Sequence, residues 1–151
     1  MNVLLAIDES KFSEAAVQLI IGQQRPESAQ LRLIHVVEPF TFYFPPEITA
    51  EYASAPQIEA LHKDQLDNGK ALLAAAADKL RKAGFTVETL LSEGDVRSAI
   101  IDNATEKKAD LIVVGSHGRK GLDRFLMGSV SEFVARHAPC SVEIVRLPVA
   151  R

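Results

Sequence analysis

The stretch Leu111 to Val134, LIVVGSHGRKGLDRFLMGSVSEFV, constrains this chain more than any other. Leu111-Ile112-Val113-Val114 is a continuous apolar run and reads as a strand buried on both faces. The loop Gly115-Ser116-His117-Gly118-Arg119-Lys120-Gly121 follows, and Gly128-Ser129-Val130-Ser131 leads into a helix predicted over Val130 to His137. A strand, a glycine-rich turn and a helix start, in that order, can hold a phosphate. Glycine lets backbone N–H groups approach an anion, and the helix start adds unpaired donors at its positive dipole end. Glycines that merely satisfy turn geometry are the plainer reading of the same residues. The flanking strand and helix favour the phosphate.

The rest of the chain alternates strand and helix. Val3 to Ile7 is a first strand, and Ser10 or Ser13 caps a helix whose apolar stripe is Phe12, Ala15, Ala16, Leu19 and Ile20. Leu31 to Val37 is a second strand. A long helix is predicted over Ile58 to Ala83, its apolar face running through Ile58, Leu61, Leu66, Leu72, Leu73, Ala76 and Leu80 to Ala83, with Gly84 at the left-handed cap. Thr86 to Leu91 is the third strand, and Asp95 caps a helix reaching about Lys108. Leu111 to Val114 is the fourth strand, and Val142 to Val145, extending toward Leu147, the fifth. Between Glu38 and Pro56 the prolines and the aromatic cluster Phe40, Phe42, Tyr43 and Phe44 break the periodicity. That segment is either a lid near the ligand or a subunit contact, or an aromatic patch packed on the core.

Such alternation implies an α/β fold, a parallel sheet of five strands with helices on both faces and right-handed crossovers. Ligands in such sheets sit beyond the carboxyl ends of strands, where strand order reverses. Asp8 and Gly115 stand at the ends of the first and fourth strands, which flank that point in the common five-stranded order.

Composition narrows the function. The chain has 151 residues, 17 basic against 20 acidic, and a net charge of −3, so it carries no general attraction to nucleic acid or anionic membrane. No apolar run reaches membrane-spanning length, and Asp8-Glu9 interrupts the first one before it would serve as a signal peptide. One cysteine, Cys140, excludes an internal disulfide and fits a reducing, cytoplasmic setting. A single domain over residues 1–151 is expected.

The spacing Gly115-x2-Gly118-x9-Gly128-Ser129 resembles the nucleotide-binding branch of the universal stress protein family. Val3-Leu4-Leu5-Ala6-Ile7-Asp8, Leu33-Ile34-His35-Val36-Val37 and Gly94-Asp95 extend the resemblance along the whole chain. It implies a Rossmann-like sheet of order 3-2-1-4-5 that binds ATP, ADP or AMP, with a magnesium ion compatible with the phosphates. By the same resemblance Ala6 floors the base, Val36 meets adenine through its main chain, and Asp8 lies at the nucleoside end. Gly115, Ser116, His117, Gly118 and Arg119 form the phosphate loop, and Gly128, Ser129 and Val130 complete it. On this reading Gly118→Val or Gly128→Val blocks the phosphates and leaves the protein folded. The resemblance also implies a homodimer through the edge strand Ser141 to Leu147, open to disruption by proline at Val145, Glu143 or Ile144.

A catalyst is harder to find. Phosphoryl transfer needs a placed base or water-orienting group, and no residue stands out for it, so slow hydrolysis is the most expected. GxSxG, Walker A, GxGxxG and HExxH are absent, and His35, His62, His117 and His137 show no metal-ligand spacing. Two other readings stay open. One is a dimerisation module with an empty pocket, which would lack the glycine signature. The other is an ATP-pyrophosphatase or nucleotidyltransferase, whose SGGxDS or HIGH-type loop would stand where this chain has Asp8-Glu9-Ser10-Lys11.

Overall fold

A computed structural model describes residues 1–40, 46–48, 54–118 and 126–147. The elements are β1 (Asn2–Ala6), α1 (Lys11–Gln23), β2 (Gln30–Val37), α2 (Ala55–Lys82), β3 (Thr86–Glu93), α3 (Val96–Glu106), β4 (Leu111–Gly115), α4 (Ser129–His137) and β5 (Ser141–Val145). All strand pairs are parallel, and the sheet order is β3-β2-β1-β4-β5, as the family resemblance implies.

Alternation along the central strands splits the core in two. Val3, Leu5, Leu31, Leu33 and Val113 face α1 and α2, where Val17, Ile20, Leu73, Ala77 and Leu80 cover them. Leu4, Ile34, Ile112 and Val114 face α3 and α4 and meet Ile100, Ala104 and Val134. Burial rather than propensity fixes α3, whose sequence VRSAIIDNATE is rich in weak helix formers. Its Ile100 is 1% exposed, and truncating such a side chain costs about 2–5 kcal/mol.

α2 begins at Ala55, three residues before the expected Ile58. Ser54 is the N-cap, and Gln57 Oε1 accepts the Ser54 N–H at 2.8 Å. Pro56 therefore belongs to the first helical turn, where its missing N–H costs nothing. The 28 residues of α2 span about 42 Å at helical rise, against about 26 Å for the eight residues of β3. No residue from Ala55 to Asn68 is buried, and Leu61, expected on the apolar face, is 48% exposed. The first half of α2 thus overhangs the carboxyl end of the sheet, tied there by His62 Nε2 and Glu93 Oε1 at 3.4 Å. Of the segment 38–56, most lies outside the described residues.

Candidate functional site

The carboxyl ends of β1 and β4 lie side by side, Ala6 opposite Val114, where the chain order of the sheet reverses. Beyond β1 the chain turns at once. Ser10 N–H donates to Asp8 Oδ1 at 2.9 Å, the Ser13 hydroxyl donates to the same oxygen at 2.8 Å, and Asp8 N–H donates to Ser13 Oγ at 2.8 Å. Ser10, not Ser13, caps α1, accepting Ser13 N–H at 3.3 Å. Asp8 Oδ1 is consumed by this turn, and Oδ2 remains, 3.1 Å from where a Cβ on Gly118 would stand. The carboxylate therefore also borders the glycine loop, closer to it than the resemblance alone implies. A cleft of about 360 Å³ runs along Ile7 to Ser10 between α1 and α2.

Ala6, Val36 and Val130 are half-buried against the α3–α4 side of the core, so all three expected residues sit on one face near the strand ends. His35 is buried, and its Nδ1–H donates to the Ile7 carbonyl at 2.8 Å.

The β4 loop is held from within. Ser116, 1% exposed, gives its N–H to the Val145 carbonyl at 2.8 Å, and its hydroxyl lies 3.0 Å from His117 Nδ1. His117 Nε2–H donates to the Leu126 carbonyl, and the Phe12 ring packs 5.2 Å from the imidazole. A serine beside a histidine invites a nucleophile reading. The burial of Ser116 closes its hydroxyl to a substrate in this structure, and the pair braces the turn after β4. Arg119, expected in the loop, lies outside the described residues, as do Lys120 and Arg124.

The signature glycines divide by what surrounds them. None has a positive φ, so turn geometry does not require them. A Cβ at Gly115 would stand 2.6 Å from Phe12 Cβ, and one at Gly128 would stand 2.9 Å from the Ser116 carbonyl oxygen. Of the three, Gly118 alone has the end of a movable side chain as its nearest neighbour, Asp8 Oδ2. The expectation that Gly128→Val leaves the fold intact is therefore corrected: that position is needed for close backbone packing.

α4 starts at Ser129, one residue before the expected Val130, with Gly128 as its N-cap. α1 and α3 have side-chain acceptors at their N-caps, Ser10 for Ser13 N–H and Asp95 for Ser98 N–H, whereas glycine supplies none. Glu132 N–H is the first of α4 to find a helical carbonyl, that of Gly128 at 2.9 Å. The N–H groups of Ser129, Val130 and Ser131 have no acceptor among the described residues. Ser131, buried and unassigned by sequence reasoning, turns its hydroxyl back to the carbonyls of Ser116 at 2.9 Å and Gly128 at 3.0 Å. Its signal was the run of small residues entering the helix.

Among the described residues no three His, Cys, Asp or Glu side chains group to hold a metal ion. Cys140 is half-buried, and burial, with the charge of Asp110 added, pushes its thiol above the ordinary range. No helix of the described residues is long and apolar enough to cross a membrane.

A doubly wound parallel sheet with an uncapped helix start behind a glycine loop defines a Rossmann-like α/β protein. The model of the universal stress protein family matches residues 1–146, and the chain belongs to that family. It is 31% identical over 145 residues to universal stress protein YxiE of Bacillus subtilis, covering 96% of this chain and 98% of that protein. Among solved structures it resembles universal stress protein UspA from Lactobacillus plantarum, at 25% identity and TM-score 0.80, covering 97% of each chain. It also resembles a universal stress protein in complex with cAMP, at 27% identity and TM-score 0.65, covering 97% of this chain and 96% of that one.

Proposed function

We propose that this protein binds an adenine nucleotide, ATP first, across the ends of β1 and β4, and acts as a nucleotide-responsive regulator in the cytoplasm. The observation that carries the reading is the start of α4: three uncapped N–H groups behind a glycine loop, beside Asp8. The related universal stress protein solved with cAMP supports the choice of an adenine nucleotide. Gly115, Ser116, His117, Gly118 and Arg119 with Gly128, Ser129 and Val130 would surround the phosphates, and Ala6, Asp8 and Val36 the nucleoside. A magnesium ion on the phosphates needs few protein ligands, and Asp8 Oδ2, unbonded among the described residues, suits one of them. No residue of the site is assigned as a base, and the proposal is binding with at most slow turnover. A homodimer through β5 completes the proposal, because β5 is an edge of the sheet.

Native purification followed by mass spectrometry, with calorimetric titration of the stripped protein, tests the reading. Recovery of an adenine nucleotide and saturable ATP binding are expected. Absence of both, with no ATP binding up to about 1 mM, would overturn it.

A further inference from the structure

A second opening lies at the amino end of the sheet, opposite the proposed nucleotide site. On the face that α3 and α4 cover, Ile34 and Leu90 stand side by side on β2 and β3 and belong to the core. Two residues back along the same face the pair is Arg32 and Glu88, and two further back it is Gln30 and Thr86. Alternate residues of a strand share a face, so the apolar lining gives way to a polar one. These four residues, with Asn103 and Lys107 from α3, line a cavity of about 210 Å³.

Two groups there have bonding capacity to spare. Asn103 is 8% exposed, and its Oδ1 is buried without a hydrogen-bond donor among the described residues. Its neighbours on that helix face, Ile100 and Ala104, are apolar and 1% exposed. Leucine at 103 would bury no unpaired acceptor, so the asparagine lowers stability unless something bonds it. The Arg32 side chain is 24% exposed and donates from Nη2 to Glu88 Oε2. No other bond to its guanidinium forms among the described residues, which leaves further N–H donors unused. Charge is balanced around the cavity: Arg32 by Glu88, and Lys107 by Glu106, whose Oε1 lies 2.7 Å from Nζ.

We propose that this cavity is a binding site for a small free α-amino acid. A lining with both signs of charge gives little to a ligand of one sign and matches a zwitterion. The carboxylate takes the unused N–H donors of Arg32, and the ammonium donates to Glu88 and to Asn103 Oδ1. A turn about Cβ–Cγ, a soft torsion in asparagine, brings that oxygen to the cavity. The volume equals about seven waters at liquid density. It falls below the roughly 300 Å³ at which pockets for drug-sized ligands begin, so a nucleotide is too large for it. The two sites lie at opposite ends of β1, and neither reading depends on the other.

The test titrates wild-type protein with L-alanine, with propionate, which lacks the ammonium, and with ethylamine, which lacks the carboxylate. NMR reads the Asn103 side-chain amide and the Arg32 Nε–H. Alanine is expected to shift both signals saturably at millimolar concentration, and each analogue to bind at least about tenfold more weakly. Saturating ATP is expected to leave alanine binding in place. No saturation by alanine up to about 50 mM would mean that the cavity holds water alone, and would overturn the proposal. Equal binding of the three probes, or displacement of alanine by ATP, would overturn it too. These arms depend on no variant folding. Asn103→Leu is expected to melt no lower than wild type and to bind alanine at least about tenfold more weakly. Alanine affinity unchanged in Asn103→Leu would also overturn the proposal.

Discussion

The Ser131 hydroxyl donates to the Ser116 carbonyl across 2.9 Å, and the same carbonyl accepts Gly128 N–H at 2.8 Å. Both lone pairs of that oxygen are thus drawn inward. A carbonyl within the proposed phosphate loop would repel an anion if it pointed outward, and this pair of donors keeps it from doing so.

Ser131→Ala should therefore weaken both the fold and the site. Ser116 keeps one donor, so no buried acceptor is left wholly unpaired and the loss stays near the low end, about 0.5–1.5 kcal/mol by urea denaturation. ATP affinity should fall more than adenosine affinity in calorimetry. Equal loss for the two ligands would contradict a role at the phosphate end.

The three signature glycines should respond differently to alanine. Gly115→Ala and Gly128→Ala push a Cβ into Phe12 and the Ser116 carbonyl and should each cost about 1–3 kcal/mol. At Gly118 the neighbour is the movable end of Asp8, so Gly118→Ala should stay within about 0.5 kcal/mol of wild type yet lower ATP affinity. Thermal denaturation beside ATP titration separates the two behaviours.

The edge of β5 gives a sharper dimer test than Val145. The Val145 carbonyl accepts Ser116 N–H, so Val145 faces β4 and its N–H points inward. By alternation Val142 and Ile144 present the outward donors. Ile144→Pro should leave the protomer folded and shift the protein from dimer to monomer in sedimentation, whereas Val145→Pro should unfold the edge. A wild-type monomer at micromolar concentration would contradict the proposed dimer.

Asp95 makes stability depend on pH. The Ser98 N–H, 2.9 Å from Oδ1, holds the carboxyl below its ordinary range; burial opposes this, and Arg97 reinforces it. A folded-state pKa below the unfolded one adds stability above the unfolded value, and that stability is lost as pH falls through the folded value. The advantage of wild type over Asp95→Asn should thus shrink below about pH 4. Denaturation at pH 7, 4 and 3 checks it, and a gap constant with pH would contradict it.

Strand positions were legible because buried parallel strands write their burial into continuous apolar runs such as Leu111 to Val114. Strand order came with the family resemblance, since periodicity reports which face is buried and not which neighbour lies beside it. Pro56 was misplaced because a proline in a first helical turn looks, in sequence, like one in a loop. The distinct needs of Gly115, Gly118 and Gly128 were hidden for a related reason: each depends on an atom distant in sequence, Phe12, Asp8 or Ser116. His35 appeared only as a landmark before Val36, because its bond to Ile7 requires two strands to end at different heights.

Nucleotide phosphates resting on the start of α4 would cover its free N–H groups. Amide hydrogen exchange at Ser129, Val130 and Ser131, measured free, with adenosine and with ATP, tests it most directly. ATP should slow exchange at these amides, and adenosine should not. Saturating ATP that leaves all three as fast as in the free protein would contradict it.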